Sequence, residues 1–191
     1  RVAIARLLHP FPSTLDAVVV AAVAALAGAP ADRIAVLALA MLFLQFSIGV
    51  GNDWADAPAD ATANPAKAIP RGLVRRRTAA VLAILLALAG LVLAAAAGTL
   101  ALAIACVGLA AGLGYDLRLK GTRWSWLPYA VGIPLLPVFA WVGATGTLPP
   151  AFVVLLPLAV GAGAALAVAN ALADLERDRA AGTETVATAL G

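Results

Sequence analysis

TAAVLAILLALAGLVLAAAAGTLALAIACVGLAAGLG, residues Thr78–Gly114, runs for 37 residues without a charged side chain. At a rise of about 1.5 Å per residue, one helix of that length would measure about 55 Å, against a hydrocarbon thickness of about 30 Å. The stretch therefore reads as two membrane spans, with the break at Gly98-Thr99. Outward from this pair, further apolar runs predict spans over Leu15–Ala29, Ile34–Gly51, Trp126–Ala144 and Ala151–Ala173. Pro128, Pro134 and Pro137 predict a kinked fifth span. Ser13, three residues ahead of Asp16, reads as a helix cap and gives Asp16 a structural role. The fold class is all-α, a multi-pass transmembrane helical bundle with six spans in this chain, and residues 1–191 form one domain.

Composition supports this. Of 191 residues, 63% are hydrophobic and 12% charged, against about 45–50% and about 25% in an average soluble domain. Mean hydropathy is +1.00. A soluble enzyme, a nucleic-acid binder and a disordered tail are all excluded, and the net charge of +3 is a matter of topology. Twelve of the 13 Lys and Arg fall on one side of an alternating six-span chain: Arg1, Arg6, then Lys67 to Arg77, Arg118 to Arg123, and Arg177 with Arg179. Arg33 alone lies opposite. The positive-inside rule then places both termini and both long loops in the cytoplasm. Trp54, Trp124, Trp126 and Trp141 sit near span ends, as an interfacial belt does. Cys106 reads as a small packing residue and His9 as part of an interfacial entry segment. The chain begins with Arg1 rather than methionine, which suggests part of a longer protein.

Acids are unfavourable inside a membrane unless they meet water, a metal or a partner. Eight of the ten here fall in the two long loops and the tail: Asp53, Asp56, Asp60, Asp116, Asp174, Glu176, Asp178 and Glu184. Six form two clusters, Asn52-Asp53-Trp54-Ala55-Asp56-Ala57-Pro58-Ala59-Asp60 and Asn170-Ala171-Leu172-Ala173-Asp174-Leu175-Glu176-Arg177-Asp178. Asn52, Asp56 and Asp60 match Asn170, Asp174 and Asp178 at a constant offset of 118 residues. Spacing of i, i+4, i+8 sets each trio along one helical face, at the cytoplasmic end of an even-numbered span. Asp53 and Glu176 lie off that frame. Such faces offer oxygen ligands only, which suits Mg²⁺ rather than zinc. Mg²⁺ keeps waters and substrate phosphates, so paired acidic faces imply a metal-bridged polyphosphate. Lys67 and Arg71, with Arg118, Lys120 and Arg123, supply cations for that anion. Arg75, Arg76 and Arg77 read as topology determinants. The 26-residue polar segment Asn52–Arg77 exceeds the usual length of a structureless connection, as a functional lid or site does.

With these motifs in order, the chain resembles the UbiA superfamily of intramembrane prenyltransferases, the 4-hydroxybenzoate polyprenyltransferase type in particular. Asn52-Asp53-x-x-Asp56-x-x-x-Asp60 is similar to its first motif, NDxxDxxxD. The stretch Asn64 to Gly72 is similar to its KPxRPIPSG segment, with Lys67 and Ala68 where Arg and Pro are common. Tyr115-Asp116-Leu117-Arg118-Leu119-Lys120 resembles its YSxxLK stretch, and Asp174-Leu175-Glu176-Arg177-Asp178 its second motif, DxExD. The resemblance implies Mg²⁺-dependent transfer of a prenyl group from a polyprenyl diphosphate to a small aromatic or lipid-precursor acceptor. It implies Asn52, Asp56, Asp174 and Asp178 as principal Mg²⁺–diphosphate ligands, with Asp53, Asp60 and Asn170 in the same metal-binding set. Lys67, Arg71 and Lys120 would neutralise the diphosphate, Tyr115 would line the pocket, and Asp56, Asp174, Asp178 and Lys120 would carry catalysis. The expected location is the cell membrane, a bacterial plasma membrane, with the site facing the cytoplasm and no nucleic-acid partner. The family has about nine transmembrane helices, so a chain ending at Gly191 implies a fragment or a shortened homologue. A cation transporter and an inactive scaffold are the competing readings. Clustering of the acids at one membrane face, with no ionisable group near mid-span, counts against transport.

Overall fold

The structure is a computed structural model that describes residues 7–173 and 175–190. Asp174, Arg1 and Arg6 lie outside the described residues. The regular elements are helices: α1 (Pro10–Leu26), α2 (Ala31–Ala63), α3 (Arg76–Ala97), α4 (Thr99–Gly114), α5 (Leu127–Thr145), α6 (Phe152–Ala173), α7 (Leu175–Ala181) and α8 (Val186–Leu190). Five are long and apolar enough to cross a membrane, namely α2, α3, α4 with its extension to Leu119, α5 and α6. The first of the six expected spans is a shorter apolar helix, α1, of 17 residues, about 26 Å at helical rise. The chain is a multi-pass helical membrane protein. The break in the uncharged stretch falls at Gly98, whose φ of 129° is open to glycine.

Lipid-facing surface and interior differ as a bilayer requires. Val81, Ile84, Leu85, Leu88 and Val92 make an exposed stripe along α3 at helical spacing, which soluble proteins bury. Cys106, expected to pack inside, is exposed on α4, because the buried face of that helix is taken by Ala101 and Ala105. Between helices of equal apolarity, close contact of small residues does the packing. The core joins Val20, Leu37, Leu44, Ala94 and Phe139 from four helices. α2 packs on α1 and α3, while α5 touches α1, α4 and α6. At Gly163 of α6 an added Cβ would lie 2.3 Å from the Tyr129 carbonyl oxygen, so α6 crosses α5 in direct backbone contact.

The polar segment after span two is not a loop over its first half. α2 continues through the acidic motif to Ala63, with Pro58 inside it. Proline removes the N–H that would bond the Trp54 carbonyl. Arg76, from the first turn of α3, supplies the missing donor: its Nε lies 3.1 Å from the Trp54 oxygen and its guanidinium 4.6 Å from the indole centre. Alanine at every second position from Ala55 to Ala63 supports the helix otherwise. The remaining connection is tied down by an apolar cluster of Leu7, Val50, Ala68, Val74 and Ala79. At the opposite end of the bundle Arg33 donates from Nε to the Gly143 carbonyl at 2.6 Å and from Nη2 to the Ala97 carbonyl. It closes the C-terminal ends of α5 and α3, where carbonyls lack helical partners.

Candidate functional site

Antiparallel alternation brings the start of α1, the C-terminal halves of α2 and α6, the end of α4 and the start of α5 to one end of the bundle. α4 does not stop cleanly there. It passes into a π-helical turn, Tyr115–Leu119, closed by the Lys120 N–H on the Tyr115 carbonyl at 2.8 Å. Such turns recur at functional sites because one extra residue per turn re-aims the side chains. Here Tyr115 and Asp116 face the bundle interior and Lys120 reaches back to α2.

Two faces of α2 are in use. Asn52 donates from Nδ2 to Asp116 Oδ1 at 2.8 Å, and one turn later Asp56 receives the Lys120 ammonium. On the adjoining face Asp53 and Asp60, seven residues apart and both buried, share Lys67 at 2.9 and 2.8 Å. Asn64 donates to the other Asp60 oxygen at 2.9 Å. Asp60 therefore groups with Asp53 rather than with Asn52 and Asp56, and the off-frame residue Asp53 is fully engaged. His9 Nε2 stands 3.4 Å from the second Asp53 oxygen. Burial alone would lower the Lys67 pKa, but hydrogen bonds and charge from Asp60 and Asp53 outweigh it and raise it above the ordinary lysine value. Arg71 and Arg118 are exposed, with no side-chain partner among the described residues, and Arg123 lies over Trp124.

Two cavities meet at this end. The larger, about 400 Å³, runs between α1, α2, α4 and α5 and includes His9, Asp16, Gln45, Asn52, Tyr115 and Asp116 in its wall. The smaller, about 240 Å³, is lined by Lys120, Ser125, Asn170, Asp178 and Thr185. Tyr115 and Tyr129 border both, ring against ring at 5.5 Å and an interplanar angle of 87°. Asn170 donates to the Tyr129 hydroxyl at 3.5 Å. Among the described residues, then, Asn170, Asp178, Lys120 and Tyr115 share one cavity. Asn52, Asp116 and Tyr115 share the other, and Arg71 reaches neither.

Several of these residues escape a reading of the sequence. Asp16 caps nothing: α1 begins earlier, at Pro10, and Ser13 bonds the carbonyls of Leu8 and His9 instead. Its carboxylate accepts from Gln45 Nε2 inside the large cavity. His9 is likewise a cavity residue. Its left-handed backbone, φ 47°, seats the ring against Gly49. Tyr129 had one signal, since the chain has two tyrosines and they meet.

A divalent metal fits the donors. They are hard oxygens, and Asp116 Oδ2 is buried without a hydrogen-bond partner beside Asn52. No three acidic, histidine or cysteine side chains converge as a closed cage among the described residues.

The profile of the UbiA prenyltransferase family matches residues 15–191. A digeranylgeranylglyceryl phosphate synthase of Halobacterium salinarum is 35% identical over 148 residues, 73% of this chain and 50% of that one. The enzyme of the same description from Natronomonas pharaonis is 34% identical over 161 residues, 81% of this chain and 57% of that one. The chain thus spans about half the length of the curated relatives it matches. A UbiA homologue from Archaeoglobus fulgidus, solved with GPP and Mg²⁺, superposes with a TM-score of 0.84 at 18% identity, covering 99% of this chain and 69% of that one. At that identity the likeness speaks for the fold.

Proposed function

The chain belongs to the UbiA prenyltransferase family, and from that premise we propose that it transfers a prenyl group from a polyprenyl diphosphate to an aromatic or other small acceptor within the membrane. Residues 1–191 act as one domain in this reading, with six membrane-embedded helices and the site on the cytoplasmic face. The observation that carries it is that Lys120, bonded to Asp56 of the first acidic segment, lines one cavity with Asn170 and Asp178 of the second, next to a larger cavity that Asn52 lines, with Tyr115 and Tyr129 bordering both. The smaller, polar cavity suits a diphosphate. The larger, with Leu44, Ile48, Ile104, Leu109, Leu136 and Phe139 in a largely apolar wall, suits the prenyl chain and the acceptor.

Asn52, Asp56, Asp174 and Asp178 would hold Mg²⁺ with the diphosphate, with Asn170 beside them and Asp53 and Asp60 behind. Bound Mg²⁺ supplies Lewis-acid stabilisation of the charge that builds on the leaving diphosphate. Lys120 turns from Asp56 to that anion, and Arg71 approaches from the connection after α2. Lys67, held between Asp53 and Asp60, keeps those carboxylates compensated and fixes the end of α2. The apolar wall keeps water from the allylic carbon until the acceptor attacks. Tyr115 and Tyr129, packed edge to face at the border of both cavities, would place electron-rich rings near developing positive charge.

The test uses the 191-residue chain in lipid nanodiscs with labelled geranyl diphosphate, Mg²⁺ and the variants Asp56→Ala and Asp178→Ala. Diphosphate release and Mg²⁺-dependent donor binding are expected, with both lost in EDTA and in each variant. Donor binding that is indifferent to metal and to both variants would end this reading.

A further inference from the structure

Two side chains of the π-helical turn meet α2 at the same interval. Asp116 pairs with Asn52 and Lys120 with Asp56, an offset of 64 residues in each case. α2 and α4 both run toward the acidic end of the bundle, so positions four apart on one face positions four apart on the other. The transfer scheme above uses Asn52, Asp56 and Lys120, and leaves Asp116 without a part. Serine stands at this position in the YSxxLK pattern, so the resemblance supplies no role for a carboxylate here.

Asp116 is 8% exposed and lies beside Asn52 in the wall of the large cavity. Its Oδ1 accepts from Asn52 Nδ2 at 2.8 Å, and its Oδ2 is buried without a hydrogen-bond partner. A plain tie between α2 and α4 does not need a charge. A neutral side chain would accept the same bond at a lower desolvation cost. An asparagine ligates a hard cation through its carbonyl oxygen alone, and its amide can turn either end toward the metal. A carboxylate accepts and does not donate, so Asp116 draws Nδ2 to itself and leaves Asn52 Oδ1 as the end free to ligate. Partners that orient metal ligands in this way typically change metal affinity about 10–100-fold when removed. The unpaired Oδ2 is open to a further donor, and a water bound to Mg²⁺ is one, since its lone pair is engaged by the cation.

We propose that Asp116 is the positioning residue of the metal site: it holds the Asn52 carboxamide with its oxygen free for Mg²⁺, and its Oδ2 accepts from a water of the metal's shell. The proposal rests on the reading of Asn52 as a Mg²⁺–diphosphate ligand, and it adds a residue that neither acidic segment contains.

Mn²⁺ in place of Mg²⁺ gives a readout independent of turnover. The 191-residue chain in phosphatidylcholine nanodiscs is titrated with Mn²⁺ in mildly alkaline buffer with geranyl thiolodiphosphate, whose C–S bond resists ionisation. The paramagnetic resonance signal of free Mn²⁺ reports binding. Asp116→Ala is expected to weaken Mn²⁺ binding about tenfold. Asp116→Asn keeps an acceptor for Asn52 Nδ2 but replaces one of the two carboxylate oxygens, so it should weaken binding about threefold. That variant also serves should Asp116→Ala fail to fold. In an Asn52→Ala background, Asp116→Ala should cost only about threefold, because the part that acts through Asn52 has gone. The full tenfold loss in both backgrounds would make Asp116 independent of Asn52 and overturn the proposal. So would a lower melting temperature at unchanged Mn²⁺ affinity, the mark of a purely structural bond. A parent chain that fails to bind Mn²⁺ with the analogue removes the transferase reading and this proposal with it. Binding in the parent that either Asp116 variant leaves untouched removes the positioning role alone.

Discussion

Lys67 is the residue on which the first acidic segment turns. Its ammonium lies between two buried carboxylates, so removing it leaves Asp53 and Asp60 facing each other with one half-exposed histidine nearby. Breaking a buried pair by deleting one partner costs about 3–5 kcal/mol, and the partial exposure of Lys67 reduces this to roughly 2–3. Lys67→Met is expected to lower the melting temperature in detergent accordingly, with Lys67→Arg recovering part of the loss. Added Mg²⁺ should raise the melting temperature of Lys67→Met more than that of the parent, because the two acids then lack their cation. The pH dependence follows from the raised lysine pKa. A base held above its unfolded value contributes in full below that value and loses the contribution as pH rises through the folded one. The gap between parent and Lys67→Met should therefore persist up to the ordinary lysine value of 10.5 and narrow only above it. Asn52, Asp56, Asn170 and Asp178 were legible as candidates from spacing alone. Asp16, His9 and Gln45 were not, because each gains its partner from the register of two antiparallel helices, which no local pattern encodes.

At the scale of elements, the sequence shows the spans and the break at Gly98, but it misplaces the end of α2. The span read from the sequence ends at Gly51, whereas the helix runs on through Pro58, which forfeits one helical hydrogen bond, to Ala63. The compensating donor, Arg76, is 18 residues away and had been assigned to topology. A double-mutant cycle isolates this. Arg76→Met should destabilise the parent by about 1–2 kcal/mol, the sum of one hydrogen bond and one exposed cation–π contact. In a Pro58→Ala background the restored N–H bonds the Trp54 carbonyl itself, and the same substitution should cost about 1 kcal/mol less. Equal losses in both backgrounds would disconnect Arg76 from the proline. The α5–α6 contact makes a sharper case. A Cβ at Gly163 meets backbone at 2.3 Å, which no side-chain rotamer relieves. Gly163→Val should part α6 from α5, break the Asn170–Tyr129 contact and weaken Mg²⁺-dependent donor binding by about tenfold or more, on top of about 1–3 kcal/mol of overpacking. Asn170 and Asp178 ride on or just beyond α6, so the second acidic segment depends on this one small residue for its position.

Across the whole molecule, charge is divided by end. Acids, lysines and cavities gather where α1 starts and where α2, α4 and α6 finish, and the opposite end holds Arg33. The sequence singles Arg33 out as the one basic residue against the charge bias, and topology gives no reason for it. Packing supplies the reason: its guanidinium bonds the carbonyls of Gly143 and Ala97, joining helices that are not sequence neighbours. Each such charge-assisted bond contributes about 1.5–3 kcal/mol when no water replaces it. At a helix end near the membrane surface water does replace it in part, so Arg33→Met is expected to destabilise by about 2 kcal/mol in total. Lysine donates from a single nitrogen and lacks the separated Nε and Nη2 donors that reach the two carbonyls here, so Arg33→Lys should recover less than half. The separation of ends makes a second demand on the same variants. If Arg33 only holds α3 and α5 together, Mg²⁺-dependent binding of geranyl diphosphate to the folded fraction stays within about twofold of the parent, since additivity holds for sites this far apart. Thermal unfolding and donor titration on one preparation check both halves. Loss of donor affinity in Arg33→Lys at an unchanged melting temperature would mean that the two ends communicate through α5, the helix that carries Tyr129 at one end and the Gly143 carbonyl at the other.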